Sequence, residues 1–433
     1  MADDTVQALR GASIYQVFVR NQSEEGTFEA ALPALDKAKE LGFDYVYLTP
    51  IHPVGAAARK GSLGSPYAIA DYRAVDPALG GEEGFRRFLD AAHAKDLRVL
   101  MDVVYNHTSP DSVLARERPD WFWKGPEGRP TPRVADWSDV VDLDYGRSGL
   151  WDYQIETLEA WFRFGVDGFR CDVASLVPVP FWLESRRRLA LAAAAAGREP
   201  CLWLAESVHK EFVAELRARG LYAASDAELH SAFDLSYDYD GRPELEAAWA
   251  GRKPLSAYLH HLFLQDCMLP QEAVKLRFLE NHDQPRAASL FGRGARLRSW
   301  TLFAMLLPGA FLAYAGEESA ITRRPSLFDR DPVDWASGDA AFEAWFGKAH
   351  QATKALRAAA PRFSARELAA GLVLLERSGE GRRAAALLNL DGRAGQVALP
   401  GPIAGAELLS GARVSLAGTV EIPEEPLLVE LGL

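Results

Sequence analysis

The chain has little sulfur: three cysteines and four methionines among 433 residues. An odd set, Cys171, Cys201 and Cys267, points away from a disulfide framework or a metal site. Two of the three lie in apolar, strand-like runs, so the thiols are expected to be reduced and buried as small hydrophobes. Positive charge is also scarce. Forty-eight Lys and Arg oppose 60 Asp and Glu, for a net charge of −12. A surface of that sign repels phosphate backbones and anionic headgroups, which argues against nucleic-acid and membrane partners and leaves a neutral or cationic small substrate. No run approaches the roughly 18 apolar residues of a membrane span. The opening MADDTVQALR carries acids where a secretory leader has basic residues followed by an apolar stretch. A cytoplasmic location is therefore expected.

What is present is enough apolar sequence for a large core, at 48% hydrophobic and 25% charged residues. Eight short apolar runs recur: ASIYQVFV, YVYLTP, LRVLMDVVYNH, GFRCDVA, CLWLAES, AFDLSYDYD, KLRFLENHD and FLAYAGEE. Between them lie amphipathic segments such as FEAALPALDKAKELG and EGFRRFLDAAHAKD, with apolar residues three and four apart. Buried strands alternating with helices predict a parallel sheet, and eight of them predict a closed (β/α)8 barrel. Two regions break the pattern. After the third strand, residues 108–145 carry Pro, Gly and Trp without helical period, as expected of a short inserted subdomain with a functional role. Trp121, Phe122 and Trp123 in this segment suit either its small core or a sugar platform, with the core reading ahead. From about Arg357 the pattern becomes short apolar runs and turns, predicting an antiparallel β domain over 357–433. The barrel is then built from 1–107 and 146–356.

In a (β/α)8 barrel, chemistry sits at the carboxyl ends of the strands. Strand three ends with Asp102, Asn106 and His107, and strand four carries Arg170 and Asp172. Strand five ends at Glu206, and strand seven at Glu280, Asn281, His282 and Asp283. Each acid taken singly also suits a cap or a salt bridge. Together, Asp172, Glu206 and Asp283 would converge on one mouth with two histidines and an arginine. Crowded carboxyls raise one another's pKa, and a neighbouring arginine lowers it. Such a site can keep one carboxyl ionised and another protonated, which glycoside hydrolysis requires.

The motifs DVVYNH (102–107), GVDGFRCDVA (165–174), the glutamate of LAES (206) and FLENHD (278–283) resemble the four short conserved regions of the α-amylase family, glycoside hydrolase family 13. SPYAIADY (65–72), DLDY (142–145) and PGAFLAYAGEE (308–318) add to the resemblance. It implies Asp172 as nucleophile, Glu206 as general acid/base, and Asp283 as a third carboxylate gripping the 2- and 3-hydroxyls of the sugar. By the same resemblance, Arg170 keeps Asp172 ionised, His107 and His282 bind sugar hydroxyls, Tyr67 stacks on the attacked ring, and Asp102 supports the site from below. The implied reaction is retaining double displacement on α-1,4-linked maltooligosaccharides or related α-glucans, through a covalent glycosyl-enzyme.

The sequence departs from many secreted α-amylases just after the nucleophile. Their Lys-His pair at the third and fourth positions is replaced by Ser175 and Leu176. In the family that histidine's carbonyl often helps to hold a structural calcium, so neither calcium nor another cofactor is expected here, although Asn106 remains a candidate oxygen donor. A 4-α-glucanotransferase or an exo-acting α-glucosidase stays open beside the hydrolase, because these share the site residues. A non-catalytic relative would lack one of the three acids, and a metal-dependent hydrolase would want more strand-end histidines than His107 and His282. Nothing requires more than a monomer.

Overall fold

The computed structural model describes residues 7–379 and 381–432. Eight parallel strands close on themselves: β1 (Ser13–Val17), β2 (Tyr45–Leu48), β3 (Arg98–Val103), β4 (Gly168–Cys171), β5 (Leu202–Ala205), β6 (Leu235–Tyr237), β7 (Val274–Arg277) and β8 (Ala310–Tyr314). Each pairs with its sequence neighbours, and β1 closes the ring against β8 with Ser13 opposite Phe311. All eight apolar runs are barrel strands.

Side chains alternate across each strand, which sorts two cores by parity. Ile14, Tyr47, Leu100, Leu204, Leu235, Leu276 and Leu312 fill the barrel interior. Tyr15, Val46, Val99, Phe169, Trp203 and Phe311 face outward into the larger core shared with the helices. Burial on both faces is why the strands read as near-continuous apolar runs. Below Arg170 the interior layer has room only for glycine: a Cβ on Gly168 would lie 2.4 Å from the Leu202 carbonyl oxygen.

The helices follow their sequence signals. Phe28–Leu41 begins where the Thr27 side chain accepts from the Ala30 amide, and stops at Gly42, whose φ of 87° suits glycine. Its Phe28, Ala31, Leu35 and Ala38 meet the barrel.

A two-residue ladder, in which His107–Thr108 pair with Val141–Asp142, brackets the inserted segment, and a short helix Val113–Glu117 and a 3-10 turn Pro119–Trp121 lie between its strands. Trp121 and Phe122 are buried, as the core reading expects, whereas Trp123 is 41% exposed. The thiols correct one expectation: Cys171 and Cys201 are buried and unpaired, but Cys267, free as well, is exposed on the helix Leu255–Met268. It sits on that helix's outer side, outside any strand.

The helix Ala340–Ala359 runs through the expected boundary at 357. A six-stranded antiparallel sheet spans Arg362–Leu431, beside a small ladder joining Gln396–Ala398 to Thr419–Glu421. Its Val373, Leu375, Ala386 and Leu388 belong to the same core as the barrel helices. Among the described residues, no helix is long and apolar enough to cross a membrane.

Candidate active site

The barrel's parity decides who meets at the mouth. Gln16, Tyr47, Asp102 and Arg170 occupy inward positions on β1 to β4, and Asp172 and Glu206 follow β4 and β5 directly. In register, Asp102 lies opposite Arg170, and the Glu206 amide donates to the Cys171 carbonyl at 3.0 Å.

Arg170 is the hub. Its NH1 donates to Asp102 Oδ1 and to Asp172 Oδ1, each at 2.9 Å, and its NH2 forms an ion pair with Glu206 Oε1 at 2.9 Å. The rings of Tyr47, Tyr67 and Tyr237 surround the guanidinium at 5.6–5.9 Å. Burial alone would lower the Arg170 pKa, but Asp102 and Glu206 outweigh it and keep the side chain charged.

Exposure is graded. Asp102 and Arg170 are enclosed, with side chains 0% and 1% exposed, and contact other site residues rather than the opening. Asp172 and Glu206 reach it at 8% and 11%, and Asp283 stands half-open at 37%. Burial, then the Glu206 charge, pushes the Asp172 carboxyl well up, while Arg170 pulls it back. Asp102 is raised to about 6 by burial, against the pull of Arg170 and a 2.5 Å hydrogen bond from Tyr47. Desolvation also raises Asp283, opposed by Arg170 and Arg324.

Both histidines are neutral. Burial lowers His107 to about 4 and His282 to about 3. His282 is wedged: its Nδ1 faces Gln16 Nε2 at 2.7 Å, and its Nε2 meets the Tyr67 hydroxyl at 2.5 Å and Asp283 Oδ2 at 3.1 Å. Tyr67 stacks on the His282 ring at 5.4 Å and its hydroxyl donates to Asp102 at 3.0 Å. His107 Nε2 lies 3.9 Å from Asp172 Oδ2.

All eight site residues named from the sequence thus gather at one end of the barrel. Glu280 does not join them. It turns away to Arg286 at 2.6 Å and accepts from the Ala287 amide. Asn281 braces the turn, its Oδ1 accepting from the Asp283 amide at 2.9 Å.

Four contributors were not foreseen. Gln16 and Tyr47 sit at inward positions near strand ends, where the alternation already pointed to them. Arg324, donating to the Asp283 carbonyl, comes from a loop after β8 with no sequence signal. Val173 adopts φ 35°, ψ 47°, a conformation that β-branched residues avoid. That turn aims the Val173 amide at Glu206 Oε2, 2.7 Å away. Backbone strain beside Asp172 therefore orients Glu206.

A closed (β/α)8 barrel with acids, an arginine and neutral histidines at its carboxyl-terminal mouth has the layout of a glycoside-processing enzyme. The family model described as "Alpha amylase, catalytic domain" matches residues 16–356. The chain belongs to the α-amylase family, whose members act on α-glucans.

Among solved structures, an alpha-amylase from Lactobacillus plantarum is 40% identical with a TM-score of 0.91, covering 99% of this chain and 100% of that one. A noncanonic maltogenic alpha-amylase, AmyB from Thermotoga neapolitana, is 30% identical with a TM-score of 0.86, covering 98% and 100%. Among curated proteins, the alpha-1,4-glucan:maltose-1-phosphate maltosyltransferase of Myxococcus xanthus is 34% identical over 42% of this chain and 31% of its own length. The enzyme of the same name from Rhodospirillum rubrum is 28% identical over 76% of this chain and 48% of its own. The chain spans less than half of these curated relatives. Their names fit the transferase alternative better than hydrolysis, whereas the two full-length neighbours carry amylase names.

Proposed function

We propose that the protein is a retaining enzyme that cleaves α-1,4 bonds of maltooligosaccharides through a glycosyl ester on Asp172. The observation that carries this is the single buried guanidinium shared by Asp102, Asp172 and Glu206. Two carboxyls resting on the two ends of one guanidinium stay near each other, in keeping with the close spacing of about 5–5.5 Å used for double displacement.

In the first step Asp172 attacks the anomeric carbon while Glu206 gives its proton to the departing glycosidic oxygen. In the second, the Glu206 carboxylate takes a proton from an incoming hydroxyl, whose oxygen displaces Asp172 from the same carbon. Asp172 must be ionised when Glu206 is protonated. Protonating Glu206 removes the charge that opposes ionisation of Asp172 and leaves Arg170 to favour it. Asp283, open at the mouth, grips the ring's 2- and 3-hydroxyls. Neutral His107 and His282 serve as hydrogen-bonding partners, and Tyr67 presents its ring to the sugar.

The incoming hydroxyl decides the outcome. Water as acceptor is the first reading, supported by the full-length likeness to two amylases. A sugar acceptor is the second, favoured by the maltosyltransferase relatives. Three free cysteines, two of them buried, fit a reducing compartment, so the reaction is assigned to the cytoplasm.

The test is the product profile over time from one maltooligosaccharide of single length, with Asp172→Asn beside the wild type. Shorter products alone are expected, with the variant slower by about 10⁴-fold or more. Longer products beside shorter ones would overturn hydrolysis in favour of transfer, and glucose alone would mark exo-glucosidase action. A wild type no faster than the variant would overturn the substrate assignment.

A further inference from the structure

The inserted segment meets the end of β3 at an ion pair that no part of the proposed reaction uses. The Asp142 side chain is 1% exposed, and its Oδ2 accepts from the Arg133 amide at 3.1 Å and from Arg133 Nε at 2.8 Å. The same guanidinium donates through NH2 to Asn106 Oδ1 at 2.8 Å. Asp142 Oδ1 is buried with no hydrogen-bond partner.

A buried carboxylate and an amide oxygen facing one point are ligands of the type a hard cation takes. Asn106 is also the residue whose oxygen remained a candidate for calcium. The fit fails, because the space between these oxygens is filled by Arg133.

We infer that Arg133 is a built-in cation: it supplies at this junction the positive charge that a metal ion would otherwise bring, and so positions His107. Arginine only donates. Its bond to Asn106 Oδ1 orients that amide with Nδ2 toward His107 Nδ1, 3.1 Å away. Nδ1 must then accept, which leaves the His107 proton on Nε2, the nitrogen facing Asp172 Oδ2. His107 is also held opposite Asp142 in the two-residue ladder. One guanidinium thus fixes the position and tautomer of a histidine at the mouth, and ties the insert to the barrel. Arg133 is a positioning residue. It acts through Asn106 and does not touch the reacting atoms.

The inference rests on the proposed reaction only for what His107 does there; the melting readout below does not depend on it. The experiment compares wild type, Arg133→Ala and Arg133→Lys in EDTA and in calcium chloride, by thermal melting and by kcat and KM on a maltooligosaccharide. The wild-type Tm is expected to be the same in both. Without the Arg133 side chain, Asp142 keeps only the backbone amide and is left buried with no cation beside it, so the alanine variant should melt lower by about 4 °C or more. Added calcium should restore part of that loss, by taking the place of the guanidinium between the Asn106 and Asp142 oxygens. In EDTA, kcat/KM of the alanine variant should fall about 10–100-fold, mainly through KM. Lysine, also a cation that only donates, should recover most of it.

A wild type that loses stability in EDTA and regains it with calcium would overturn the inference. So would an alanine variant with unchanged Tm and KM. If the alanine variant does not fold, the wild-type comparison and the lysine variant decide. A lysine variant that needs calcium to reach wild-type KM would count against Arg133 as a sufficient cation.

Discussion

Arg170 lies inside a strand and is almost wholly enclosed, yet it answers to three acids and three tyrosine rings. A buried ion pair seldom adds net stability, but removing one partner leaves the other charge stranded. Arg170→Met is therefore expected to lower folding stability by about 3–5 kcal/mol as well as to abolish turnover, read by urea unfolding beside kcat. If Arg170 served catalysis alone, activity would vanish and stability would stay. Val173 makes the opposite trade. Its left-handed backbone is strained by about 1–3 kcal/mol, and glycine adopts it freely. Val173→Gly should keep or raise Tm while lowering kcat, because the amide that orients Glu206 loses its restraint. A lower Tm with unchanged kcat would refute this assignment.

Single elements carry their own consequences. The helix Ala340–Ala359 presents His350 to a pocket of Phe43, Phe311 and Phe346, with Nδ1 on the Leu41 carbonyl at 2.8 Å and Nε2 without a partner. Burial lowers His350 to about 3, and Arg357 adds to the effect. The folded pKa lies below the ordinary value of about 6.5, so the fold favours neutral imidazole. That contribution is complete above about pH 6.5 and is lost as pH falls toward 3, at roughly 1.4 kcal/mol per pH unit. The stability gap between wild type and His350→Gln should narrow at that rate between about pH 6.5 and 4.5. Urea unfolding at a series of pH values checks it, and parallel profiles would exclude His350 as the source.

The whole molecule folds around a core that ignores its domain boundary. Trp300 Nε1 and Arg296 Nε both donate to the Leu390 carbonyl, at 3.1 and 3.0 Å, and Arg377 Nε donates to the Leu306 carbonyl at 2.9 Å. Leu388, wholly buried on the C-terminal sheet, packs in the cluster of the barrel helices. Leu388→Ala should cost about 2–5 kcal/mol. Calorimetry should still show one transition, with activity lost at the same temperature. Two resolved transitions would mean that sheet and barrel unfold separately.

Taken by itself, the sequence determined the eight strands, their parallel closure and seven of the eight residues at the mouth, because alternation and strand order are local properties that survive in one dimension; Tyr67, on a loop, was reached only through the family resemblance. It also put a core ahead of a sugar platform for Trp121, Phe122 and Trp123 together. It did not distinguish Trp123 from its neighbours, nor Cys267 from the buried thiols, since exposure depends on what packs across from a side chain. Gln16 and Tyr47 were within reach of the same parity. Val173, Arg324 and Arg133 were not: a left-handed backbone, a loop closing over β7 and β8, and a guanidinium 27 residues from Asn106 arise only when distant segments meet. Beyond Arg170 and Asp172, two residues apart at the end of one strand, tertiary structure decides which charge stands beside which acid, because electrostatic partnership depends on distance through space and burial.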